Sequence, residues 1–282
     1  MDALIEPFAF EFFRRGLLIA ALAGALCGLV GVYVVLRGMS YIGHGLSHAI
    51  FGGAVASFVM RVNFYVGAGV WGLVSALLIH RVARRRSIGA DAAIGVITTA
   101  SFAVGIAIIS RYRSFTRNFE AALFGNILGV TTADVLVVAA VAVLAASAVA
   151  FFYRPLLFAT FDAEVAEVSG VNVARLDALL AFVLAATIVA TMQVLGVTLI
   201  AAALVIPPVV ARMLTNSFGR MLVLSTLTGG LTGTLGMYLS YHLDVSSGAT
   251  IVLVAAAVFT VVFAATGGSR LRRVAGLAAT GG

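Results

Sequence analysis

The uncharged run ALLAFVLAATIVATMQVLGVTLIAAALVIPPVVA, residues 178–211, decides the fold class of this chain. A helix needs about 20 apolar residues to cross the hydrocarbon core of a bilayer, so the segment between Asp177 and Arg212 is too long for one crossing. Glycine interrupts helices readily, and Gly196 lies in the middle of the run. The stretch therefore predicts two consecutive membrane helices, residues 178–195 and 197–211.

The composition of the whole chain is that of an integral membrane protein. Of its 282 residues, 62% are hydrophobic and only 10% are charged, whereas an average soluble domain carries roughly 25% charged residues. We therefore predict an all-α, polytopic membrane protein in which residues 1–282 form a single transmembrane domain. Apolar runs predict nine spans, with eight as the alternative, at residues 16–36, 44–60, 64–80, 92–110, 132–153, 178–195, 197–211, 221–241 and 248–266.

The net charge of +7 comes from arginines in short clusters between apolar runs. Cytoplasmic loops of membrane proteins carry an excess of positive residues, so the clusters HRVARRR (80–86) and RLRR (270–273) are predicted to be cytoplasmic. No basic stripe with interleaved aromatic residues is present, and we expect no nucleic-acid partner. With nine spans, residues 154–177 and 212–220 are also cytoplasmic, and residues 111–131 and 242–247 lie outside.

The sequence contains no lysine and one cysteine, Cys27. A nucleotide-binding P-loop requires a lysine that reaches the phosphates. Any ATP that drives this protein must therefore be hydrolysed on another chain, and we expect no enzymatic activity here. A single cysteine excludes a disulfide within the chain.

Two histidines lie four residues apart in RGMSYIGHGLSHAIFGGAV, residues 37–55. Residues four apart share one face of a helix, so His44 and His48 could bind one metal ion. The alternative is a pair of packing histidines that hydrogen-bond to neighbouring backbone carbonyls. The pair is not an H-E-x-x-H motif, because Gly45 takes the position of the catalytic glutamate.

Glycines and prolines in the spans suggest close packing and a kink. Gly24 with Gly28, and Gly229 with Gly233, have the spacing that lets helix backbones approach closely in lipid. Two prolines, Pro207 and Pro208, remove amide donors within the seventh span and should bend or break that helix. They are either a packing kink or the flexing point of a gate.

Four segments together identify a family. VVLRGMSYIGHGLSHAIFGG, LIAAALVIPPVVARMLT and SSGATIVLVAAAVF occur in this order, with AALFGNILGV between the first two. Over essentially the whole chain the sequence resembles the membrane permease of ATP-binding-cassette importers for zinc and manganese. The resemblance implies a homodimer in a prokaryotic plasma (inner) membrane, with two cytoplasmic ATPase subunits that bind ATP and an extracytoplasmic metal-binding protein. It implies no permanently bound cofactor, since zinc or manganese is the cargo.

The resemblance also assigns the histidines. The family pattern usually reads Gly-Asp-Ala-Leu-Ser-His where this chain has Gly43 to His48. The family histidine corresponds to His48, and His44 takes the position of the aspartate. The pair is then a transit site for the ion, shared between two subunits. Imidazole suits zinc, whereas oxygen ligands suit manganese, so we expect zinc to be favoured over manganese.

Residues 161–178, FDAEVAEVSGVNVARLDA, occupy the place of the family's coupling segment. In the family a short cytoplasmic helix here docks into a cleft on the ATPase. The resemblance therefore gives a coupling role to Asp162, Glu164, Glu167 and Gly170, with the glycine letting the backbone turn away. An ordinary interfacial helix between two spans is the alternative.

A second candidate metal site lies in SYHLDVSSG, where His242 and Asp244 are two residues apart. They could form a transient metal relay or part of the docking surface for the metal-binding protein. A solvated loop is the alternative.

Two other transport functions compete with the metal importer. A permease for a metal chelate would have a wide cavity with few ligands, and the paired histidines argue against it. An ion-coupled secondary carrier would need acidic residues within the spans, whereas Asp134 and Asp177 lie only at predicted ends.

Overall fold

The computed structural model describes residues 6–83, 90–112, 123–125 and 127–280, without the side chains of residues 80, 83, 90, 91, 93, 128 and 267–280. Every regular element in this part of the chain is a helix. Short 3-10 turns lie at Glu6–Ala9 and Ile127–Gly129. The α-helices are α1 Glu11–Leu36, α2 Ser40–Val59, α3 Phe64–Ala83, α4 Ala90–Arg111, α5 Thr132–Phe151, α6 Tyr153–Phe161, α7 Ala163–Val168, α8 Val173–Leu195, α9 Ile200–Leu214, α10 Phe218–Leu243 and α11 Ser247–Thr280.

Seven of these helices are long and apolar enough to cross a membrane: α1, α2, α4, α5, α8, α10 and α11. The predicted spans 64–80 and 197–211 correspond to α3 and α9, whose apolar segments Phe64–Ile79 and Ile200–Leu214 are shorter. A helix therefore lies at each of the nine predicted positions. The prediction of an all-α, multi-pass membrane protein is confirmed, although length and apolarity alone support only seven crossings.

The predicted break at Gly196 is confirmed. Helix α8 ends at Leu195, and Gly196 has φ of +77°, a conformation that side chains disfavour. Gly125, with φ of +79°, packs directly against it, because a Cβ atom on Gly196 would collide with the amide nitrogen of Gly125. Thr198 donates from its amide and its hydroxyl to the carbonyl oxygen of Leu123, at 3.2 and 2.7 Å. The segment 123–125 thus fixes the turn between α8 and α9.

Glycine contacts hold α1 against α10. A Cβ atom on Gly24 would collide with the backbone of Gly229, and one on Gly233 would collide with the backbone of Ala20. The Ser225 hydroxyl donates to the carbonyl oxygen of Gly28 at 2.6 Å. The predicted close approach of these glycines is therefore confirmed, and it places α1 in the interior of the bundle, where most of its side chains are buried.

Helix α9 continues through both prolines. Pro207 and Pro208 are buried inside Ile200–Leu214, and the helix is not broken there. The ring of Pro208 faces α1, where its Cγ would lie 3.1 Å from a Cβ atom on Gly31. Packing against a neighbouring helix explains why the missing amide donors are tolerated. A role for the prolines in gating stays a prediction.

Side-chain contacts join segments that are distant in sequence at each end of the bundle. At one end, Arg37, which follows α1, contacts Thr160 in α6 and Asp177 in α8. At the other end, Tyr65 at the start of α3 donates to Asp134 at the start of α5. The arginines at 84–86, on which the predicted orientation depends in part, lie outside the described residues, as do the side chains at 270–273 and the arginines at 113 and 117 in the predicted outer loop, which run against the positive-inside rule.

Candidate functional site

Both histidines lie on α2, near the end of the bundle that carries Arg37. The helix begins at Ser40 rather than at residue 44, the predicted start of the span, so both residues are helical. The His44 and His48 rings lie with their centroids 4.6 Å apart. His44 is exposed and His48 is half-buried. The prediction that the two imidazoles share one face of a helix is confirmed.

A hydrogen bond to the backbone orients the second histidine. The Nδ1 atom of His48 lies 3.1 Å from the carbonyl oxygen of His44, and the Ser47 hydroxyl donates to the same oxygen at 2.7 Å. A carbonyl oxygen can only accept, so this contact favours the tautomer with the proton on Nδ1; the Ser47 hydroxyl oxygen also lies near this atom, at 3.4 Å. The Nε2 atom of a neutral imidazole is then an unprotonated acceptor. This tautomer is the one that can bind a metal ion through Nε2.

The histidines line a cavity of about 220 Å³ between α2 and α4. Gly45 allows α4 to approach, because a Cβ atom at this position would lie 2.7 Å from Cγ2 of Thr98. The Phe102 ring lies 5.5 Å from the His48 ring, measured between centroids. The walls of the cavity are therefore mixed: two imidazoles, two threonines and two aromatic rings, from Tyr41, His44, Gly45, His48, Gly95, Thr98, Thr99 and Phe102.

One chain supplies too few ligands for a complete metal site. Among the described residues, no group of three or more His, Cys, Asp or Glu side chains is placed to hold one ion. Zinc in proteins is usually bound by four donors, and this pair offers two. His44 is also exposed on a helix that is apolar enough to span the membrane.

His242 and Asp244 do not come together in the part of the chain that the structure describes. The His242 ring packs on Tyr238 and Tyr241, with centroid separations of 4.6 and 5.5 Å. Asp244 follows α10 with φ of +53°, the left-handed conformation common at helix ends. Both residues are exposed. A metal relay at these residues stays a prediction.

Helix α7 lies within the predicted coupling segment, and two of the assigned residues define its ends. The Asp162 carboxylate accepts a hydrogen bond from the Val165 amide at 3.0 Å and caps the N-terminus. At the C-terminus, Gly170 has φ of +87°, its amide bonds to the Glu167 carbonyl, and the Val171 amide bonds to the Ala166 carbonyl. This pair of bonds is the Schellman motif. Glu164 and Glu167 are exposed, so they are free to contact another chain.

Sequence reasoning missed one connection near the histidines. The Arg37 guanidinium contacts Asp177, 140 residues away in sequence, with an Nη1 to Oδ1 distance of 2.5 Å. Its Nε donates to the hydroxyl of Thr160 at 3.1 Å. The sequence signals were an isolated arginine seven residues before His44 and the acidic Asp177 at a predicted span end.

The acidic residues at the span ends have structural roles. Asp134 forms a capping box with Thr131 and also accepts from the Tyr65 hydroxyl. Asp177 pairs with Arg37. Both carboxylates thus have structural partners at the ends of their helices, where the sequence predicted them.

The long apolar helices define a multi-pass membrane protein, and its fold is that of an ABC permease. Its backbone is similar to a chain of the solved structure of PsaBC from Streptococcus pneumoniae in complex with Fab. The TM-score is 0.86 and the identity is 34%, over 93% of this chain and 95% of that chain. The chain belongs to the ABC 3 transport family, whose pattern matches residues 9–266.

Curated relatives support the same assignment. The manganese transport system membrane protein MntC of Halalkalibacterium halodurans is 36% identical over 258 residues, 92% of this chain and 88% of that protein. The chelated iron transport system membrane protein YfeC of Yersinia pestis is 32% identical over 263 residues, 93% of this chain and 89% of that protein. The chain is thus a transport permease rather than an enzyme.

Proposed function

We propose that this chain is the permease subunit of an ATP-driven importer for a divalent transition metal, with zinc favoured over manganese. The observation that carries the proposal is the adjacent pair of His44 and His48, whose ring centroids lie 4.6 Å apart and in which the His48 Nε2 atom is available as a ligand. The relatives named for manganese and chelated iron support a first-row transition metal as cargo.

The preference for zinc follows from His44. Where the family resemblance predicts an aspartate, this chain offers a second imidazole nitrogen. Nitrogen ligands favour zinc, and carboxylate oxygens favour manganese. The change also lowers the negative charge of the site by one per subunit, so the site holds a dication less firmly and releases it more readily.

A second copy of the chain would complete the site. Two subunits supply about four imidazole donors, the usual number for zinc. Ionisable side chains at membrane depth are normally covered by protein or line a water path, and exposed His44 needs such a cover. We therefore propose a homodimer in which the two histidine pairs face each other across a shared path.

The proposed topology has nine crossings, with the C-terminus in the cytoplasm of a prokaryotic cell. Helix α3 supports it, because Tyr65 at its start bonds to Asp134, whereas Ile79 lines a cavity beside Arg37 at the opposite end. Helix α9 likewise runs from the Gly196 turn to Ala211, which belongs to the hydrophobic cluster around Tyr33.

The remaining partners follow from the same proposal. Two cytoplasmic ATPase subunits dock on the coupling segment 161–178 and bind the ATP that this lysine-free chain cannot. An extracytoplasmic metal-binding protein delivers the ion, with His242 and Asp244 at its docking surface. Pro207 and Pro208 form the flexing point of the gate.

The chelate alternative is less well supported. The cavity beside the histidines measures about 220 Å³, below the roughly 300–1,000 Å³ of typical small-molecule sites. A bare ion needs only about four donor atoms, and the histidine pair of one chain supplies two of them.

The proposal is tested by measuring zinc and manganese uptake in the parent and in two variants, His48→Ala and His44→Asp. His48→Ala should abolish transport, and His44→Asp should keep activity while gaining relative manganese uptake. Phe102→Leu is the matched control, because it lines the same cavity without offering a ligand, and it should transport zinc. Parental zinc uptake by His48→Ala would show that the pair only packs.

A further inference from the structure

Arg37 joins three helices through one guanidinium group. It follows the last residue of α1, its Nε donates to Thr160 in α6 at 3.1 Å, and its Nη1 lies 2.5 Å from Asp177 Oδ1 in α8. The Arg37 and Asp177 side chains are 11% and 24% exposed. This partly buried pair is less screened by salt than a surface ion pair, so its removal should weaken the link between α1 and α8.

The same residue lies between the coupling segment and the histidines. Thr160 is two residues before Asp162, which caps α7. On the other side, the backbone passes from Arg37 into α2 through two hydrogen bonds of Met39: its amide bonds to the Val34 carbonyl at 2.7 Å, and its carbonyl accepts from Gly43 at 3.1 Å. A displacement of α6 and α7 therefore reaches the start of α2 through a short hydrogen-bonded path.

Apolar packing would transmit a displacement from α7 to α2 less directly. A cavity of about 460 Å³ separates α2 from the helices around α7. Ile42 and Leu46 of α2 form one wall, and Ala163 of α7 lies on another. Close-packed side chains transmit displacements, whereas side chains across a cavity do not. Arg37 lines this cavity, and its hydrogen bonds to Thr160 and Asp177 cross from the end of α1 to α6 and α8.

The guanidinium is also incompletely paired in this arrangement. Its Nη2 atom is buried and has no acceptor among the described residues. A buried donor without a partner disfavours the arrangement that leaves it so. An incompletely paired guanidinium is suited to a residue that changes hydrogen-bond partners between two conformations of the protein.

We propose that Arg37 is a positioning residue that transmits movement of the coupling segment to the histidine pair. The contacts among Arg37, Asp177 and Thr160 form a clamp. This clamp moves α2 when α7 moves. The proposal rests on the proposed function, since the ATPase drives α7 and the histidines hold the cargo. Arginine suits the role because its planar fork reaches two partners at once, which a lysine ammonium does with less fixed geometry.

The first experiment compares uptake with ATP hydrolysis in the complex that the tagged full-length chain co-purifies with its ATPase. Arg37→Gln and Asp177→Asn should lower zinc uptake about tenfold while ATP hydrolysis and zinc binding at the histidines are kept. Arg15→Gln is the matched control: it removes an exposed ion pair with Glu11 within the same helix and should transport normally.

Parental uptake in Arg37→Gln overturns the clamp. If an Arg37 variant fails to assemble, Thr160→Val provides the test, because it removes the acceptor of Nε and leaves the ion pair. Parental uptake by Thr160→Val would then overturn the proposal.

A second readout separates the clamp from the identity of the cargo. Spin labels at Met60 and Val168, which are 71% and 90% exposed, report the distance between the far end of α2 and the end of α7. In a Cys27→Ala background, the distance in the parent and in Arg15→Gln should change between nucleotide-free and ATP–vanadate states. Arg37→Gln should lose that change. The clamp is wrong if Arg37→Gln keeps it, whereas absent metal uptake in the parent contradicts only the proposed function.

Discussion

The Nδ1 atom of His48 lies 3.1 Å from the carbonyl oxygen of His44, one helical turn earlier in α2. A packing role predicts this hydrogen bond, and so does a metal site, because the bond holds the proton on Nδ1 and leaves Nε2 free. The two interpretations therefore differ only at Nε2.

Replacing His48 by asparagine tests Nε2 directly. The asparagine amide can still donate to the His44 carbonyl, but it has no atom where Nε2 lies. We expect His48→Asn to lose zinc uptake while its thermal stability in detergent stays near that of the parent. Normal uptake together with normal stability would show that the backbone hydrogen bond is the whole function of His48.

Zinc stoichiometry tests the shared site. If each subunit supplies two of about four donors, the purified permease should bind one zinc ion per two chains, measured by equilibrium dialysis with radioactive zinc. His48→Ala should abolish this binding, whereas His242→Ala should retain it, because His242 lies on a different helix, α10. One zinc ion per chain, or binding that survives His48→Ala, would contradict a site between subunits.

The contact between α1 and α10 predicts a strong stability effect at Gly24. A valine there would collide with the backbone of Gly229, and overpacking of this kind costs about 1–3 kcal/mol. Gly69→Val is the matched control, because no atom lies within 4 Å of a Cβ at that position. Unfolding in mixed micelles should show Gly24→Val destabilised and Gly69→Val close to the parent. Equal stability of the two variants would contradict this packing.

Replacing Gly170 should strain the backbone conformation rather than cause a steric clash. A Cβ atom there meets nothing within 4 Å, but φ is +87°. A β-branched residue held in that region costs about 1–3 kcal/mol, so Gly170→Val should distort the end of α7 and uncouple ATP hydrolysis from metal uptake. Gly170→Asn, which tolerates the left-handed region better, should couple more nearly as the parent does. Unchanged uptake with normal ATPase stimulation in Gly170→Val would contradict the coupling assignment.

The sequence by itself determined the elements and several of their contacts. Hydropathy is a local property, so the charge-free run 178–211 was enough to predict α8, α9 and the break at Gly196. Glycine spacing predicted that the helices carrying Gly24 and Gly229 each pack closely on a neighbour, and the structure shows that they pack on each other. The shared face of His44 and His48 followed from helix geometry alone.

Only the tertiary structure decided how distant segments complete these elements. Gly125 fixes the turn at Gly196, and Arg37 pairs with Asp177, 140 residues away. The start of α2 at Ser40 came four residues before the predicted span, because polar residues at the membrane edge hide a helix end from hydropathy. The physical reason is that local sequence sets the helices and their small-residue faces, whereas the partner that each face meets depends on packing between segments distant in sequence.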